Sequence, residues 1–309
     1  MADPENIELN RAQLAYTAGN ASLTAGRQRI EILDQRFVGS GSFRQNEQTY
    51  DGVRGRWGDP KRTTLDVSYV WNVRTVNGYR GTGARQEAVG GDNLFALIAQ
   101  ATPIGTLTAF AFLVDQDETE VQAFRLSNQS YGLRLAGTRP LTEDYAVSYT
   151  MSWATQSDLH RNPNDYRAEY WLAEAAVSRG PLSAGLGSEI LGADEGVPFT
   201  SFQTPLAALF RFQGWAGRLA GTPPNGTRDF YATLSGGWKK TGPFDALTLQ
   251  AIWHRFDSDR LNLHYGEEID VLASGKLGPA AISARYARYR ADQFASDTDR
   301  FWLSLEWAL

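Results

Sequence analysis

The sequence predicts an all-β protein, a transmembrane antiparallel β-barrel. Apolar and polar residues alternate with period two along almost the whole chain. The alternating segments number about fifteen and run roughly 9–12 residues, the length a tilted membrane strand needs and longer than the soluble mode of roughly 5–6. The connections between them are short and long in turn, as periplasmic turns and outer loops are in outer-membrane barrels.

Composition fits that class. The chain has 309 residues, a net charge of -5, no Cys, 30 Gly and nine Trp. A mean hydropathy of -0.39 excludes a helical membrane protein. It suits a barrel, whose apolar belt is averaged against a wet lumen and loops. The acidic balance argues against a nucleic-acid partner. Zero Cys removes disulfide scaffolds and thiol-based metal or redox sites. Residues 93–114 carry no formal charge and are long enough to span a bilayer as a helix. Pro103-Ile104-Gly105 in their middle is turn chemistry, so they read as two apolar strands.

Each strand follows from its own pattern. Leu65, Val67, Tyr69, Trp71 and Val73 oppose Asp66, Ser68, Asn72 and Arg74. Tyr145, Val147, Tyr149, Met151 and Trp153 oppose Asp144, Ser148, Thr150 and Ser152. Leu182, Ala184, Leu186 and Ile190 oppose Ser183, Gly185, Gly187 and Glu189. Phe230, Ala232, Leu234 and Trp238 oppose Asp229, Tyr231, Thr233 and Ser235. Leu247, Leu249, Ala251 and Trp253 oppose Thr248, Gln250 and His254. Segments 94–101 and 106–114 are apolar on both faces, and 22–32 has no clear faces. Trp57, Tyr69, Trp71, Trp153, Trp171, Trp238, Trp253 and Trp307 sit near strand ends, where interfacial girdles would be. Gly19-Asn20, Gly58-Asp59-Pro60, Arg139-Pro140-Leu141, Gly180-Pro181, Thr241-Gly242-Pro243 and Gly278-Pro279 mark further short turns.

The last residues, Phe301, Leu303, Leu305, Trp307 and Leu309, alternate to the end. This resembles the insertion signal of outer-membrane proteins, with Leu309 where an aromatic residue usually stands. Single-chain bacterial barrels have even strand numbers. An odd count, with the acidic start Met1-Ala2-Asp3-Pro4-Glu5 and no signal peptide, predicts that the chain begins inside a longer barrel, lacking its first strands.

Gly26-Arg27-Gln28-Arg29-Ile30 and Ser42-Phe43-Arg44-Gln45-Asn46-Glu47-Gln48-Thr49-Tyr50-Asp51-Gly52-Val53-Arg54 are followed by Phe202-Gln203-Thr204-Pro205-Leu206, Gly214-Trp215 and Thr222-Pro223-Pro224-Asn225-Gly226. With these, most of the chain resembles the alginate-export family of outer-membrane porins. The resemblance implies an 18-stranded barrel with three strands before the region matching 7–18. It also implies passive passage of an anionic polysaccharide, or smaller acidic sugars, through an arginine-lined lumen.

Arg27, Arg29, Arg44, Arg54 and Arg56 cluster early, and Arg74, Arg134 and Arg285 occupy similar polar-face positions. A guanidinium presents a fork of donors suited to carboxylates, and a ring of them would select anions. Asp51, Asp66, Glu174, Glu189, Asp229, Asp270 and Glu306 are available as interior partners. Loop 191–226 is long enough to plug the pore or to lie over it as a lid. A general or other small-solute porin with an uptake role is the alternative channel; an outer-membrane hydrolase is the enzyme alternative, and an adhesin or assembly barrel the structural one. His160, His254 and His264 show no nucleophile–base constellation, so no enzyme activity is expected. The acidic stretches 115–120 and 257–259 lack calcium-loop spacing. No cofactor or metal is expected. The partners expected are an anionic saccharide and the lipid and lipopolysaccharide of the outer membrane, with a periplasmic protein left open.

Overall fold

The computed structural model describes residues 6–41 and 46–307. Period-two sequence becomes extended backbone, and extended backbone must pair. Fifteen strands do so: β1 (Ala12–Ala18), β2 (Ala21–Gln28), β3 (Thr49–Gly58), β4 (Thr63–Arg74), β5 (Ala88–Thr102), β6 (Gly105–Val114), β7 (Asn128–Pro140), β8 (Tyr145–Asp158), β9 (Arg167–Arg179), β10 (Leu182–Leu191), β11 (Thr227–Thr241), β12 (Phe244–Asp257), β13 (His264–Leu277), β14 (Ala280–Ala291) and β15 (Thr298–Trp307). Each is antiparallel to the next, in one sheet of strictly sequential order. No pairing joins β1 to β15 among the described residues. The uncharged stretch 93–114 forms β5, a two-residue turn and β6, and no helix among the described residues is long and apolar enough to cross a membrane.

The two faces differ in chemistry. One carries exposed apolar side chains, among them Leu65, Leu133, Leu186, Leu234 and Leu303, the last 70% exposed. Such a surface is stable only against lipid. The aromatics predicted at strand ends lie on this outer face in two bands. Trp57, Trp238 and Trp307 sit near the short turns, and Trp71, Trp171 and Trp253 toward the long loops. Trp153 and Trp171 face each other across β8 and β9, ring centroids 6.2 Å apart.

The other face is the inner one, and two loops fold against it. Residues 29–41 and 46–48 lie between β2 and β3, and residues 192–226 follow β10. They join through a parallel bridge between Val38 and Leu206. The Gly39 N–H donates to the Leu206 carbonyl at 2.9 Å, and the Ala208 N–H to that of Gln35 at 3.0 Å. Phe37 packs against Phe110, Phe112, Tyr170 and Phe202, with centroids 5.2–5.9 Å apart. This accounts for the doubly apolar β5 and β6: their outer faces meet lipid, and Phe95, Phe110 and Phe112 meet the inserted loops. A second cluster seats Trp215 and Leu219 of the later loop on Phe256, Tyr265 and Tyr289. The segment around Pro205–Phe212 holds only a single 3-10 turn, Leu209–Arg211.

Candidate functional site

Alternation and register decide which charges reach the inner face. On β3, Arg54 and Arg56 oppose Thr24 and Ser22 and lie opposite to Val53 and Trp57. Arg54 forks onto Asp66, at 2.9 and 2.5 Å. Arg56 is exposed and makes no ion pair among the described residues. Arg134 reaches from β7 to Asp34 of the first inserted loop at 2.8 Å. Arg285 on β14 stands opposite Trp302 on β15, both on the inner face.

Arg27 and Arg74 go elsewhere. By alternation Arg27 and Asp51 share a side with Ala25 and Val53, opposite to Arg54. They form a two-pronged ion pair at 2.7 and 2.8 Å, which Asn72 joins by donating to Asp51 at 2.8 Å. On β4 the register slips at Trp71: Gly52 opposes Val70, whereas Asp51 opposes Asn72. This β-bulge buries Val73 inward and turns Arg74 outward, onto Glu8 and Glu87. The polar face read for 65–74 therefore does not extend past Trp71. Arg29 pairs with Glu47 at the base of the first loop. Arg44 lies outside the described residues.

The inner-face carboxylates mostly hold loops. Glu189 accepts from Arg36 at 2.6 Å and from the Tyr170 hydroxyl at 2.9 Å. Arg36 also donates to Thr204 at 3.0 Å, and its guanidinium lies 4.8 Å from the centre of the Phe212 ring. Burial works against the Arg36 charge, but Glu189 alongside holds its pKa above the ordinary arginine value. Asp270 and Glu268 accept from the backbone N–H groups of Trp215 at 3.0 Å and Ala216 at 2.6 Å. Asp229 bonds His254 at 3.0 Å, and Glu174 accepts from Tyr231 at 2.7 Å. Glu306 alternates with the outward Leu303 and Leu305, on the inner side of β15. Arg36, Glu268 and the docked backbone were not legible as a site, because Asp34-Gln35-Arg36 reads as an ordinary solvated loop.

At its base the later loop is fixed by Asp194. Partial burial favours the neutral acid, but N–H groups of Arg167, Gly196 and Val197 hold its pKa below the usual carboxylate value. Among the described contacts, His160 meets Asp115, His264 meets Asp257, and His254 meets Asp229 and Asp270.

Two spaces remain. A cavity of about 420 Å³ lies between the later loop, residues 75–89, residues 116–126 and Arg300. A wider space of about 530 Å³ lies below the loops, lined largely by small side chains such as Ala136, Thr150, Gly185 and Thr233.

No family model and no curated protein matches the sequence. Solved structures do resemble the fold. OccAB4 of Acinetobacter baumannii is 12% identical, with a TM-score of 0.69 over 96% of this chain and 73% of that one. OccK3 (OpdO) of Pseudomonas aeruginosa is 16% identical, with a TM-score of 0.71 over 96% and 78%. OpdK of Pseudomonas aeruginosa, solved with vanillate, is 12% identical, with a TM-score of 0.70 over 96% and 77%. The fold is that of an outer-membrane porin barrel, and the chain resides in the bacterial outer membrane. The neighbours are of the Occ/OprD type, which overturns the resemblance to the alginate-export family. Among the described residues, the stretches behind that resemblance fall on β2, β3 and the inserted loops, where Arg27 and Asp51 form a cross-strand pair.

Proposed function

We propose that this chain forms a diffusion channel for small hydrophilic solutes across the outer membrane, serving uptake and modestly preferring anions. The observation that carries the proposal is the pair of loops held against the inner face by Arg36–Glu189 and by Asp270 and Glu268. A barrel emptied of its loops would pass large solutes, whereas one filled in its outer half passes small ones. Passage is passive and uses no cofactor or covalent chemistry. The likeness to Occ/OprD porins supports a small-solute channel over a polysaccharide conduit.

The anion preference rests on Arg56, which has no compensating carboxylate in contact among the described residues, and on Arg85 and Arg300 at the upper cavity, whose described lining contains no Asp or Glu. Arg54 contributes less, because Asp66 neutralises it. Planar-bilayer recordings in a salt gradient test both parts. A conductance below that of an open barrel of this size is expected, with a reversal potential on the anion side. Arg56→Ala should move that potential toward zero. Cation selectivity would overturn the anion assignment, and absence of conductance would overturn the channel.

A further inference from the structure

The upper cavity is chemically unlike the rest of the inner face. Six carboxamide side chains line it: Gln48, Asn77, Gln86, Gln116, Gln122 and Gln203. Thr75, Thr204 and Thr222 add hydroxyls. Phe210 and Trp215 form an aromatic wall, their rings stacked at 16° with centroids 6.2 Å apart. Among the described residues, Arg85 and Arg300 supply the formal charges of the lining. Its volume of about 420 Å³ falls within the roughly 300–1,000 Å³ of small-molecule sites.

Gln116 narrows the choice of ligand. The residue is 5% exposed, and its Oε1 makes no hydrogen bond among the described residues. A buried acceptor without a donor is destabilising. A carboxylate cannot relieve it, having no proton to give, whereas a hydroxyl can. Carboxamides both donate and accept, as vicinal hydroxyls do. An aromatic wall offers the flat apolar surface against which the C–H face of a sugar ring packs.

Resting on the channel reading, we propose that this cavity is a binding subsite for a small saccharide. The sugar's hydroxyls bond Gln116 and the neighbouring carboxamides, its ring lies on Phe210 and Trp215, and Arg300 donates to ring or hydroxyl oxygens. The subsite would concentrate such solutes at the outer mouth before they pass into the wider space below.

Single-channel recording with glucose and maltose as probes, and benzoate as comparison, tests this. The wild-type protein should show saturable sugar-dependent interruption of the current. Gln116→Leu, which nearly keeps the volume and removes the acceptor, should raise the half-blocking sugar concentration about tenfold. Arg300→Gln should weaken sugar block less than it weakens anion preference. Normal conductance without sugar block, or block by benzoate alone, would overturn the subsite while leaving the channel standing. Absence of sugar-free conductance would overturn the channel itself.

Discussion

Arg36 and Glu189 meet at 2.6 Å across 153 residues of chain, their side chains 2% and 5% exposed. One stands on an inserted loop and the other on the wall of β10. Removing one member of a buried ion pair strands the other charge, at a cost of about 3–5 kcal/mol. Arg36→Met should therefore release the first loop and raise single-channel conductance. The double variant Arg36→Met, Glu189→Met should recover much of the wild-type conductance, because no charge is left stranded. Conductance and protease sensitivity of residues 29–48 check both variants.

Gly214 has φ +81°, and a Cβ there would lie 2.5 Å from the Glu268 carboxylate. The later loop turns at this point to aim the Trp215 and Ala216 N–H groups at the wall. Gly214→Ala should cost about 1–3 kcal/mol of docking, from backbone strain alone and more from the clash. Thermal unfolding should show little change in the barrel transition, while the fluorescence of Trp215 shifts toward that of an exposed indole.

Leu234 and Thr233 are adjacent on β11 and face opposite sides: Leu234 is 64% exposed, and Thr233 lines the lower space. Leu234→Arg should destabilise the barrel by about 2–4 kcal/mol in lipid, the midplane cost of a charge on the lipid face. Thr233→Arg should leave stability nearly unchanged and reduce conductance. Refolding titrations in lipid vesicles distinguish the two, and equal costs would refute the assignment of faces.

Asp194 gives the later loop a pH dependence. Its pKa in the fold lies below the ordinary 3.8, so its three N–H bonds stabilise the loop base fully above that value. The contribution is lost as pH falls through the lowered pKa of the folded protein. Deuterium uptake at Gly196 and Val197, corrected for intrinsic exchange, should show protection at pH 7 that fades below about pH 4. Asp194→Asn should remove the pH dependence.

The strands were legible because a lipid face and a wet face imprint period two on every one of them. Phe230, Leu234 and Trp238 against Asp229 and Thr233 announced their sides without further help. The register slip at Trp71 was not legible: a bulge adds one residue without changing composition, so Val73 and Arg74 exchanged sides unseen. The doubly apolar β5 and β6 were visible as an anomaly, and its cause, Phe37 and Phe202 on inserted loops, was not. Of the expected arginine path, Arg54, Arg56, Arg134 and Arg285 reach the inner face. Arg27 and Arg74 pair on its opposite side. Arg36, the arginine that ties the loops to the wall, had no local pattern to mark it, because its partners Glu189 and Thr204 are far away in sequence.

The channel narrowed by docked loops is tested most directly by replacing residues 203–222 with a short Gly-Ser linker and recording single-channel conductance in planar bilayers. The account predicts stable pores whose conductance rises severalfold over the wild-type protein, with passage of larger solutes. A conductance equal to that of the wild-type protein would contradict it, since the loop would then not be the restriction.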